Sequence, residues 1–95
     1  MPSATQRRLA RLLGYGPHAI LTDGDLRLAA ARERTRLAAE LVREALASDD
    51  VTSAQGAGLF VEERLAEWSD LLPGDTRRAI AQAANEEIQR RAPEA

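Results

Sequence analysis

The stretch DLRLAAARERTRLAAELVREALA, residues 25–47, decides what kind of domain this is. It consists almost wholly of good helix formers, lacks internal glycine and proline, and follows Thr22 and Asp23, either of which can cap a helix. The sequence therefore predicts one long helix over 23–47, ended by Ser48-Asp49-Asp50. At about 1.5 Å rise per residue it is roughly 36 Å long. A compact chain of this size has a diameter of roughly 32 Å, so the helix ends are expected to protrude from a monomer and lie against a second copy or another helical protein.

On a helical projection Leu26, Ala30, Leu37, Leu41 and Ala45 form one apolar stripe, which makes Leu26, Leu37 and Leu41 candidate interface residues. Arg27 and Arg34 fall inside this stripe. Their stems can cover apolar surface while the guanidinium groups reach water; in the sharper reading Arg34 crosses an interface to a carboxylate. Opposite the stripe, Arg32, Arg36 and Arg43 form a basic ridge whose spacing can match phosphates. That supports an alternative reading as a nucleic-acid-binding regulator. Against it stand a net charge of −2, Glu40 beside the ridge, and a lack of aromatics for base stacking.

Toward the N-terminus, Ser3 caps a short helix over about 3–13, with Leu9, Leu12 and Leu13 on one side, Arg7 and Arg11 on the other, and Gly14 as its stop. Between the helices lies GYGPHAILTDGD, residues 14–25, holding the only tyrosine and the only histidine. It reads as an ordered crossover in which Tyr15, Ile20 and Leu21 fold back onto the bundle. Tyr15 and His18 are candidate loop contacts.

Toward the C-terminus, Thr52 with Gln55 has capping-box spacing, and a helix is expected over 53–72, weakened at its start by Gly56 and Gly58. Val61, Leu65, Trp68 and Leu72 form its core stripe. Phe60 and Leu71 project off that stripe and are candidates for a second contact surface. After Pro73-Gly74, Asp75 can cap a last helix over 75–91 that presents Ile80, Ala83, Ala84 and Ile88, leaving 92–95 as a frayed tail.

Composition narrows the chemistry. Without cysteine there are no disulfides, thiolate metal sites or cysteine nucleophiles. One histidine beside Asp23 and Asp25 lacks a second ligand of its kind, and Ala19 and Leu21 break a calcium-loop pattern, so no metal is expected. No nucleophile elbow is present, and the absence of lysine excludes a phosphate-binding P-loop. The pairs Glu62-Glu63 and Glu86-Glu87 diverge on a helix instead of converging on a substrate. A small enzyme or ligand-binding protein using the 14–25 loop is thus the weakest reading, and neither catalytic residues nor a cofactor are expected.

Charge is unevenly divided. Residues 1–43 carry eight arginines against four acids, and residues 44–95 carry five against eleven, which favours pairing between the halves, within one chain or across two. The expectation is an all-α protein, a small helical bundle of one short N-terminal helix and three longer helices completed by dimerisation. With no apolar run long enough to span a bilayer, a cytoplasmic location is expected. The function expected is a non-catalytic protein–protein interaction or regulatory module that docks helix to helix, with itself or another helical protein as partner.

Overall fold

A computed structural model of the chain describes residues 3–91. Its helices are α1 (Ala4–Leu12), α2 (Asp23–Arg32), α3 (Arg34–Ala47), α4 (Ala54–Ala66) and α5 (Gly74–Arg91), and the described residues contain no strand. The protein is all-α. The tail expected at 92–95 lies outside the described residues. No helix among them is long and apolar enough to cross a membrane.

The stretch 23–47 is two helices instead of one. The chain breaks at Glu33, with φ −107° and ψ 29°. The reason is visible in the register: Glu33 stands seven residues after Leu26 and four before Leu37, so a continuous helix would aim its carboxylate into the apolar stripe. Burying an unpartnered carboxylate is costly. The break leaves Glu33 exposed while Leu26, Ala30, Leu37, Leu41 and Ala45 all stay within 2% exposure. Arg34 stabilises the break, because its Nη1 donates to the Ala31 carbonyl at 3.2 Å. In a continuous helix that carbonyl would accept from the Thr35 amide.

The molecule measures 44 × 26 × 19 Å, elongated enough to hold both segments, so the length argument for a partner falls away.

Caps fix where the other helices start. Ser3 and Gln6 form a reciprocal capping box (3.1 and 2.7 Å), and so do Thr22 and Asp25 (3.0 and 2.9 Å). The Gln6 amide also donates to the Asp23 carboxylate, tying the start of α1 to the start of α2. At α4 the cap is Ser53 rather than Thr52, its Oγ accepting from the Gly56 amide at 3.0 Å. α4 ends at Ala66, six residues before the expected end, and residues 67–72 turn toward α5. Trp68 and Leu72 are nevertheless buried with Val61 and Leu65, as their spacing predicts.

α3 is the central strut. It packs most extensively on α5, then on α4 and α2, and the core is leucine, isoleucine, valine and alanine around one tryptophan. Side-chain to backbone hydrogen bonds hold the turn after α4 in place. Trp68 Nε1 donates to the Thr5 carbonyl (3.1 Å), Arg27 Nε to the Leu71 carbonyl (3.2 Å), and Arg77 Nε to the Leu72 carbonyl (3.1 Å).

α1 ends in a Schellman motif: the Gly14 amide donates to Arg11 O and the Tyr15 amide to Ala10 O, both at 3.0 Å, with Gly14 at φ +93°. A Cβ on Gly14 would stand 2.7 Å from Arg36 Nη2. Gly14→Ala is therefore expected to cost about 1–2 kcal/mol, most of it from the left-handed backbone. Chemical denaturation checks this: adding Arg36→Ala should recover only the steric share, and full recovery would place the whole cost in the guanidinium contact.

Candidate interaction surfaces

The residues assigned from sequence to an interface are mostly spent on the chain's own core. Leu26 (2% exposed), Leu37 and Leu41 (both 0%) belong to the chain's own hydrophobic core, and Leu71 (8%) is covered as well. As folded, these four offer nothing to a partner. Leu71 was displaced by the early end of α4, since a residue beyond the helix does not keep the angle that a helical projection gives it. Phe60 is half-buried against the core, with the Arg64 guanidinium 4.8 Å from its ring centroid. Arg34 reaches no carboxylate among the described residues; it is exposed and bonded to its own chain at Ala31.

The crossover behaves differently from expectation. Leu21 packs on the core, but Ile20 is 96% exposed and Tyr15 41%. His18 is exposed, and among the described residues no group of three or more His, Asp or Glu side chains is placed to hold a metal ion.

Two surfaces remain open, and they carry opposite charge. The first surrounds α4. Leu59, 55% exposed, stands between an open groove of about 390 Å³ against α5 (Ala54, Gln55, Gly58, Glu62, Asn85, Ile88, Gln89) and another of about 470 Å³ under the α3–α4 connection. Gly58 shapes the first groove, since it puts no side chain between α4 and Asn85, whose Oδ1 would lie 3.4 Å from a Cβ there. The second is rimmed by Asp50, Glu63 and Glu67. Glu67 is engaged by Arg8 and Arg64 (2.9 Å each), whereas Glu62 and Glu63 make no ion pair among the described residues.

The second surface lies on α2 and its neighbours. Leu28 is 58% exposed, and Arg32 follows one turn later on the same face. Of the predicted ridge, Arg32 and Arg36 are exposed without an ion pair among the described residues, while Arg43 is paired with Glu40 at 2.5 Å. The hydrogen bond from that pairing holds the Arg43 guanidinium above its ordinary pKa. Arg7 and Arg11 on α1 are likewise exposed and unpaired among the described residues. Because the Arg36 guanidinium lies over Gly14, the ridge meets the C-terminal end of α1, where Arg11 occupies the last turn.

Leu28 and Leu59 are absent from the sequence-based site, although a signal for them existed. Each stands two residues from a core leucine or valine, Leu26 or Val61, and so about 200° away on a helix, on the outer face.

The charge division predicted from sequence is left open by the fold. Of six ion pairs among the described residues, only Arg8–Glu67 joins the basic half to the acidic half. The other five link residues three or four apart. These surfaces are those of an all-α domain whose own core is closed and whose outer faces are complementary. No protein-family model, no curated protein and no solved structure matches the chain.

Proposed function

We propose that this chain is a small non-catalytic interaction module that docks helix to helix and works as a homodimer. The observation that carries this reading is the unneutralised division of charge, a basic α1–α2 side and an acidic α4 side joined by a single ion pair among the described residues. Each side also exposes a leucine that the core does not use. Charge complementarity of this kind steers and orients association, and the leucines supply burial.

Light scattering across protein concentration and salt tests it. The expected mass at low salt is twice the 10.3 kDa of the chain, falling toward the monomer as salt screens the charges. A monomer at every concentration in low salt overturns the reading. Arg32 and Arg36, exposed and unpaired among the described residues, keep a second reading in view, that of a nucleic-acid-binding regulator. Duplex or single-stranded DNA added to the same salt series decides between them, because phosphate binding is strongest at low salt and weakens steeply as salt rises.

A further inference from the structure

Resting on the homodimer reading, we infer that the dimer contact is reciprocal: Leu28 and Arg32 of α2 in one copy seat against Leu59, Glu62 and Glu63 of α4 in the other, and the two-fold axis repeats the contact. After Ile20 in the crossover, Leu28 and Leu59 are the most exposed large apolar residues among those described, at 58% and 55%. Each has unpaired charge one turn onward, a cation at Arg32 and two carboxylates at Glu62 and Glu63.

Sign selects the pairing. Packed antiparallel on its symmetry mate, α2 would face Arg32 with Asp23 and Asp25, whose carboxylates are already bonded to Gln6 and Thr22, and α4 would face Glu62 and Glu63 with no unpaired cation of its own. The crossed arrangement covers both leucines and gives Arg32 the unpaired carboxylates of Glu62 and Glu63. The surface of α4 also has room for the incoming leucine, because grooves flank Leu59 and the one against α5 is lined by Ala54, Gly58 and Ile88. Because the donor and acceptor patches are different, a two-fold closes them into a dimer, whereas other rotations would give larger rings or an open chain.

Charge reversal tests this. Arg32→Glu alone, and Glu62→Arg with Glu63→Arg alone, should each weaken self-association at least about tenfold, since both copies of the contact then oppose like charges. Mixing the two variants should restore a dimer. In the mixed dimer one contact is the native pairing and the other is the same pairing with its signs exchanged, so the product is an obligate heterodimer, detectable by tagging one variant and measuring mass and 1:1 stoichiometry. All three positions are exposed, so thermal melts should match the wild type within a few degrees and confirm that the variants fold.

If the wild type dimerises and either variant dimerises equally well, the docking faces are wrong while the homodimer reading stands. A monomeric wild type removes both. Mass that climbs past the dimer with concentration overturns reciprocity, and a mixture that stays monomeric overturns the pairing of these faces.

Discussion

Replacing Trp68 with alanine is expected to lower the unfolding free energy by about 3–5 kcal/mol. That is a large share of the about 5–15 kcal/mol available to a domain, and a 95-residue chain rich in alanine has little reserve. The size of the loss follows from position. Trp68 is fully buried, is the largest side chain in the core, and stands at the turn where the chain leaves α4. Its indole N–H donates to the Thr5 carbonyl, and the neighbouring Glu67 pairs with Arg8, so one turn anchors α1 by packing, a hydrogen bond and a charge. Urea denaturation followed by circular dichroism reads the effect without relying on the lost fluorophore. Trp68→Phe divides the terms, keeping most of the ring while removing the donor, and should lose about 1–2 kcal/mol. A loss below about 1 kcal/mol for Trp68→Ala would mean that the indole is not the anchor of α1.

This anchor was legible in the sequence, because Val61, Leu65, Trp68 and Leu72 keep helical spacing and all four are buried. Ser3, Thr22 and Gly14 were legible for the same reason: caps and left-handed stops are local chemistry, and neighbours within three residues decide them. The misread features depend on distant packing. The sequence over 23–47 has helical propensity throughout, and only the burial of its stripe by α4 and α5 makes a carboxylate at Glu33 intolerable, so the break belongs to the tertiary fold. At α4, Thr52 and Ser53 are both competent caps, and the choice depends on which hydroxyl faces the Gly56 amide. The early end of α4 then carried Leu71 inward.

The candidate surfaces were harder to see, for a related reason. An apolar stripe marks the face a helix buries, but it does not say whether its own chain or a partner does the burying. Leu26, Leu37 and Leu41 were assigned outward and are used inward. What the sequence did carry was the charge division, because charged side chains seldom enter a core and their distribution therefore survives folding as surface. The five local ion pairs neutralise within a half and leave the difference between halves almost untouched.

Ala84→Leu is expected to destabilise the fold by about 1–3 kcal/mol, although leucine is both more hydrophobic and nearly as good a helix former. Ala84 is fully buried on α5, between Ile80 and Ile88 on the same face, and α5 packs on α3 more extensively than any other pair of helices. The core face of α3 is itself small at Ala38 (1% exposed) and Ala45 (0%). Small residues on both helices let their axes approach closely, and an isobutyl group in place of a methyl has nowhere to go unless the helices separate. The sign of the effect is therefore the test. If the α3–α5 interface were loosely packed, leucine would fill space and raise the midpoint of urea denaturation; a lowered midpoint means close packing. Ala66→Leu, at an exposed position on α4, supplies the control and should stay within about 0.5 kcal/mol of the wild type.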